Sequence, residues 1–374
     1  MKRLNISQVD ALFANGIYPI EFLFYFKKRL TTKKIRNALK KLSAVFWPMF
    51  GEYKAGIIFF DNYIEEACYD EEAVNQEFII PSTEEEKLDV YSRYRLPDTK
   101  KLFLLKITHL RNGTILVPKM YHLAGDGYSY FYFLSSLALL SQHTLLPSKS
   151  FLMQLFSKPC HRRTILKDFS FEGVAQEIQR QDTQFTTEIE EVSRKDVSGL
   201  IRTVAESKNL RISTNDVLTA MAVNRLVSVQ KEFEGEFFEL TIPIDVRRQI
   251  KEYGRRFFGN GIMLHRRMLK KDDIKNFPTE ELAAQIRKSM PSVSTQAYID
   301  YLTRLEESLS EGKTEKFRPF DPDSGFLVTN ISRLPVDKLD FGTGPPDLIY
   351  PLTLEKNAAA VLSKDENFIL RFAY

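Results

Sequence analysis

Tyr121-His122-Leu123-Ala124-Gly125-Asp126-Gly127 decides how this chain reads. The stretch has the form His-x-x-x-Asp-Gly. Upstream, residues 102–110 (LFLLKITHL) and 114–120 (TILVPKM) are apolar, β-rich runs on either side of Arg111-Asn112-Gly113. Asn and Gly tolerate the positive φ of a type I′ turn, so the spacing predicts a hairpin with His122 at the end of its second strand. Gly125 and Gly127 let the backbone turn where side chains would clash. Residues 128–146 then run apolar without a proline, too long for a strand, and predict a buried helix. A strand–turn–helix junction presents a side chain at the rim of a sheet. On this pattern alone His122 reads either as a catalytic base or as a satisfied, partly buried histidine with Asp126 as its partner or as a helix cap.

Length and composition bound the rest. The 374 residues, 43% of them hydrophobic, predict two domains. A net charge of +4 and a pI near 8.7 favour an anionic small ligand without demanding nucleic acid. Cys68 and Cys160 have no CxxC spacing and read as free thiols of a reducing compartment. Residues 17–26 are apolar but short and broken by Pro19 and Glu21, so neither a signal peptide nor a membrane span is expected and the cytoplasm follows by default. His109, His143, His161 and His265 form no metal-binding pattern, and no serine sits in a Gly-x-Ser-x-Gly elbow. No catalytic metal and no serine hydrolase are therefore expected.

In order along the chain, Ser7-Gln8-Val9-Asp10 opens a segment leading to a strand at 21–26. Thr31 and Thr32 are expected to cap a helix over 33–45 with Ile35, Leu39 and Leu42 on one face. Residues 53–60 and 62–66 suggest a meander, and the acidic 71–89 a solvated helix or loop. The first domain is placed at 1–170, a connecting segment at 171–195 and the second domain at 196–374, with 169–190 helical in composition. Helices are expected over 196–208, 217–229, 280–290 and 295–309, strands over 237–244, 262–268, 325–330, 358–362 and 367–372. Ser213 and Asp216 have capping-box spacing, and Asp340-Phe341-Gly342-Thr343-Gly344 reads as a tight loop.

With these pieces placed, the chain resembles the BAHD acyltransferases of the chloramphenicol acetyltransferase and condensation-domain superfamily. The matching stretches fall in the family's order: Ser7-Gln8-Val9-Asp10 against LSxLD, His122–Gly127 against HxxxDG, Ser213–Leu218 against STxDxL, Asp245-Val246-Arg247 with Phe258-Gly259-Asn260 against DxRxR…YFGN, and Asp340–Gly344 against DFGWG. Thr343 replaces the usual Trp, Gln249 the second Arg, and Tyr121 stands where condensation domains carry a first His. The resemblance implies an α/β (α+β) chain of two chloramphenicol-acetyltransferase-like domains. Each has a mostly antiparallel mixed sheet with flanking helices, and an active-site channel runs between them. It also implies a monomer.

The resemblance implies that His122 takes the proton from an acceptor hydroxyl or amine as it attacks an acyl-CoA thioester, with no covalent acyl-enzyme and no permanently bound cofactor. Histidine suits this because its ordinary pKa lies near neutrality. Asp126 is then structural and pairs with Arg247; the rival for Arg247 is a surface charge, since Arg248, Lys251, Arg255 and Arg256 lie close by. Thr329 and Asn330 are the candidate oxyanion donors, with a backbone amide or a water as the alternative. Ser213 and Thr214, at a helix start, and Lys208 are candidates for the coenzyme A phosphates, against the plainer reading of an ordinary capped helix; the basic run from Arg247 to Lys271 is the alternative source of phosphate contacts, or only a solvated face. Gly127, Asn260, Asp340, Gly342 and Gly344 are assigned to shaping the channel. Two other functions stay open: a condensation-type enzyme whose donor is tethered to a carrier protein, and a non-catalytic binding protein of the same fold.

Overall fold

The protein is described here by a computed structural model covering residues 1–14, 18–142, 186–229, 235–251, 253–311, 317–336, 339–353 and 355–374. The expected hairpin is its centre. Strands β6 (Phe103–Leu110) and β7 (Gly113–Tyr121) pair antiparallel, with Leu110 opposite Gly113. The turn is not type I′, because neither Arg111 nor Asn112 has positive φ. Gly113 is there for closeness instead: a Cβ at this position would strike the backbone of Phe26 and the ring of Tyr25. Asn112 works through its side-chain amide, which exchanges two 2.9 Å hydrogen bonds with the backbone of Phe78.

Strand β2 (Pro19–Phe26) lies along β7, and strand β5 (Tyr69–Ala73) runs parallel to β6 on the other side. That acidic edge strand was expected to be helix or loop. It is tolerated in the sheet because Lys106 pairs with Asp70 and Glu72, and His109 with Glu71, across the register. Helix α3 (Glu84–Ser92) follows, started by a capping box from Thr83 and Glu86. Helix α2 (Thr32–Ser43) buries Ile35, Ala38, Leu39 and Leu42 and leaves its lysines in water; Thr31 occupies the cap position without a side-chain bond. A small sheet is formed by β1 (Lys2–Asn5), β4 (Ile57–Phe60) and β3 (Glu52–Lys54), so the meander stops short of 62–66. Helix α4 (Gly127–Gln142) is the buried helix after the motif. Residues 143–146 of its expected span, the proposed domain junction, Cys160, and residues 169–185 of the helical-looking segment lie outside the described residues.

The second large sheet has six strands. Its edge is β8 (Thr187–Ser193), which falls where a polar helix was expected; seven partners on the last strand outweigh the composition. Helices α5 (Arg194–Lys208) and α6 (Thr214–Val229) lead to β9 (Phe237–Asp245) and β10 (Ile262–Lys270). Then come α7 (Lys271–Asn276), α8 (Thr279–Ser289), α9 (Thr295–Ser310) and β11 (Gly325–Asn330). The strand that follows, β12 (Leu348–Pro351), leaves the C-terminal part and pairs with β2 at the edge of the first sheet. Strands β13 (Ala358–Lys364) and β14 (Asn367–Ala373) complete the second sheet, in which β11 runs parallel to both β9 and β13.

The two halves are therefore interlocked, and 196–374 is not a unit closed on itself. The core that covers β2, β7 and α4 also holds Val246, Ile250, Phe257, Phe258, Tyr298 and Leu302. Among the described residues no helix is long and apolar enough to cross a membrane.

Candidate active site

His122 follows directly on β7. Its backbone N–H donates to the Tyr18 carbonyl at 2.8 Å, and the Tyr121 and His122 carbonyls accept from Ala124 and Gly125 in the turn. The ring stacks on Phe13, centroids 3.8 Å apart and planes 13° from parallel, and the residue is half-buried. Nδ1 lies 2.9 Å from the Asn260 side-chain amide, whose other end lies 2.7 Å from the His122 carbonyl. The end facing a carbonyl oxygen must be the donor, so Asn260 turns its oxygen to the ring. An oxygen only accepts; Nδ1 therefore carries the proton and Nε2 keeps its lone pair. Burial pushes the imidazole pKa below its ordinary value, opposed by the charge of Asp126 and the bond to Asn260.

Asp126, four residues on, faces away from the ring and into a buried ion pair. Arg247 donates to its two carboxylate oxygens at 2.8 Å each. The same guanidinium donates to the carbonyls of Phe257 and Gly259 and to Ser129 Oγ, and lies 4.5 Å over the Tyr128 ring. Asp126 also accepts from the backbone of Ser129 and Gly261. Burial raises the Asp126 pKa, but Arg247 outweighs it and holds the carboxyl below the usual carboxylate range. Arg248, Arg255 and Arg256 are exposed, so the pairing selects the one buried arginine of the run. Gly261 is required by this packing: a Cβ there would come within 2.8 Å of the Arg247 guanidinium. The pair thus fastens the 257–261 loop, and with it Asn260, to the start of α4.

The transferase family matches residues 1–367. The chain belongs to this family, that of the BAHD acyltransferases. No curated protein matches it. Among solved structures, F. graminearum TRI101 in complex with coenzyme A and deoxynivalenol is similar over 100% of this chain and 95% of that one, with a TM-score of 0.73 and 14% identity. Vinorine synthase gives 0.70 and 18%, over 100% of this chain and 90% of that chain. The first condensation domain of the CDA synthetase gives 0.55 and 12%, with the same coverages. The architecture is accordingly the two-domain chloramphenicol-acetyltransferase-like fold, with mixed sheets and flanking helices.

The remaining candidates of this BAHD chain lie about the start of α6, at the end of β11 and in the 340–344 loop. The N-terminus of α6 is closed by its own side chains: the Ser213 backbone and hydroxyl donate to Asp216, and Arg287 donates to both residues. Lys208 is paired with Glu281. At the end of β11 the Asn330 amide donates to Asn215 at 2.9 Å and its oxygen accepts from Ser332; Thr329 is half-buried. Ile331 and Leu334, just beyond, lie against Gly127, which brings this end of β11 over the start of α4.

The Asp340–Gly344 loop folds around its own carboxylate, which accepts from the backbone N–H of Gly342, Thr343 and Gly344 at 2.7, 3.0 and 2.9 Å. Gly342 and Gly344 have φ of +99° and +101°, which only glycine adopts without strain. The loop is tied to Gln142 at the C-terminal end of α4 and packs Phe341 on Phe26. Sixteen residues of helix, roughly 24 Å, separate that end from the motif, so the loop anchors α4 rather than lining the space at His122. The sequence reading missed Phe13 and Ser129. Cys68 is buried, its thiol pushed up to about 11. Among the described residues, no three His, Cys, Asp or Glu are grouped as a metal site.

Proposed function

We propose that the protein transfers an acyl group from acyl-CoA to a hydroxyl or amine acceptor by direct attack, with His122 as general base, as a monomeric cytoplasmic enzyme. The observation that carries this is the contact between His122 Nδ1 and the Asn260 amide oxygen, which assigns the ring proton to Nδ1 and leaves Nε2 as the proton acceptor. Nε2 would take the acceptor's proton as its oxygen or nitrogen bonds to the thioester carbonyl carbon. When the tetrahedral intermediate collapses, the C–S bond breaks and the same nitrogen returns the proton to the coenzyme A thiolate. Thr329 and Asn330 are the proposed oxyanion donors; Asn330 gives one N–H to Asn215 and has a second available. Of the proposed phosphate contacts, Ser213 and Lys208 would have to exchange their present carboxylate partners, whereas Thr214 has no carboxylate partner among the described residues. TRI101 structures bound to coenzyme A with deoxynivalenol or T-2 mycotoxin support the reading through their shared fold.

Thermal unfolding with coenzyme A and a series of acyl-CoAs tests the donor without knowledge of the acceptor. At about a hundred times its dissociation constant a ligand stabilises by roughly 2.7 kcal/mol. A shift graded by acyl length is expected. No shift with any of them would redirect the reading to a carrier-protein donor or to a fold without chemistry.

The base must be neutral to act, and burial lowers its pKa. The plot of kcat/KM against pH is therefore expected to stay flat from neutrality down past the ordinary histidine value of about 6.5, and to fall only below it. An acid limb above that value would contradict the assignment.

A further inference from the structure

Asp10 sits in α1 (Gln8–Ala11), a one-turn helix distant in sequence from the motif, and is buried. Its carboxylate makes two bonds of different purpose. Oδ2 accepts the Ser7 backbone N–H at 2.8 Å, while Ser7 Oγ accepts the Asp10 N–H at 3.2 Å, which closes a capping box. Oδ1 accepts from Asn260 Nδ2 at 2.8 Å.

The second bond reaches the catalytic ring. A primary amide has two ends of nearly the same size, and its neighbours decide which way round it sits. The Asp10 oxygen accepts here, so the nitrogen of Asn260 faces Asp10. The oxygen must then face His122 Nδ1, and the ring proton must be on Nδ1. The His122 carbonyl holds the same nitrogen and acts in the same direction. Three residues beyond Asp10, Phe13 fixes the plane of the ring by stacking on it. We propose that Asp10 is a positioning residue for the base: through the Asn260 amide it selects the His122 tautomer in which Nε2 is free to accept a proton. Asp10 is buried and reaches the ring through Asn260. The proposal rests on the reading of His122 as base.

The test is Asp10→Asn. An asparagine oxygen still accepts from Ser7, so the cap remains, but an NH2 group now faces the NH2 of Asn260. That clash favours a turned amide, which offers N–H to Nδ1 and drives the ring proton to Nε2. The His122 carbonyl opposes the turn. A fall in kcat of about tenfold is therefore expected, the factor carried by one charge-assisted hydrogen bond, with KM for both substrates little changed. Nitrogen-15 NMR of labelled histidine reads the tautomer directly: protonated Nδ1 in the wild type, a mixture in the variant. Ser7→Ala, which weakens the cap and spares the bond to Asn260, is expected to lower Tm without changing kcat or the tautomer.

An Asp10→Asn protein with an unaltered tautomer and unaltered kcat overturns the proposal. A wild-type spectrum with the proton on Nε2 overturns it with no variant needed. Absence of turnover in the wild type would instead count against the base assignment, and the NMR comparison would still decide the role of Asp10.

Discussion

Replacing His122 by alanine is expected to lower kcat by about 10³-fold while coenzyme A still binds. The size follows from what a positioned general base contributes, typically 10²–10⁴-fold. Among the described residues no other basic nitrogen contacts the ring to substitute for it: Asn260 is an amide, Asp126 is committed to Arg247, and Phe13 only stacks. Alanine also uncovers one face of Phe13, at a cost of about 1 kcal/mol, within the ordinary range for a substitution. His122→Gln separates the two effects, because glutamine keeps most of the volume and can still hydrogen-bond Asn260 but has no titrating nitrogen. Both variants should lose turnover alike and differ in Tm. The measurements are steady-state rates beside the thermal shift with coenzyme A. Turnover within tenfold of wild type in His122→Ala would remove His122 from the mechanism.

What the sequence made legible was local. The hairpin, the turn with its glycines and the helix behind it follow from period and turn chemistry over some forty neighbouring residues, roughly one supersecondary unit. Even there the turn type was misread, since the clash at Gly113 comes from Phe26 and Tyr25, on a different strand. The pair Asp126–Arg247 spans 121 residues, and no periodicity points across such a gap; only the ordered motifs did. Phe13 and Ser129 were missed because stacking and a single buried hydroxyl leave no pattern. Strands β5 and β8 were read as polar helix or loop because their acidic side chains are answered by partners on neighbouring strands and helices, Lys106, His109 and Arg225 among them. Strand β12 is four residues long, too short to show a period, and its place beside β2 is set by tertiary packing. Ser213 and Lys208 illustrate the converse: the residue types suit a phosphate, but Asp216 and Glu281 answer them within the fold.

Arg247→Met is expected to cause the largest loss of stability, about 3–5 kcal/mol, the range for removing one partner of a buried ion pair. Methionine replaces much of the volume, so the loss is mainly electrostatic. It leaves the Asp126 carboxylate buried with only the backbone donors of Ser129 and Gly261, and it leaves the Phe257 and Gly259 carbonyls without the guanidinium. The pH dependence gives the sign. In the wild type the Asp126 pKa is held below the usual range by Arg247, so its contribution is present above the ordinary carboxylate pKa and lost as pH falls through the depressed value. Without Arg247 burial is opposed mainly by the remaining backbone donors, the pKa rises, and protonation relieves the variant. The gap in stability between wild type and variant should therefore narrow toward acid, as followed by urea unfolding from pH 7 to about 4. Asp126→Asn combined with Arg247→Met should recover part of the loss, because the stranded charge is gone. A difference under about 1 kcal/mol at neutral pH would show that the pair is not what holds the 257–261 loop. The same pair bears on the chemistry, since Gly259 and Gly261 flank Asn260 and are both bonded to it. Loosening the loop frees the amide that orients His122. Stability and rate should consequently fall together in Asp126→Asn, and a fully stable but slow Asp126→Asn protein would mean that the carboxylate acts on the reaction itself.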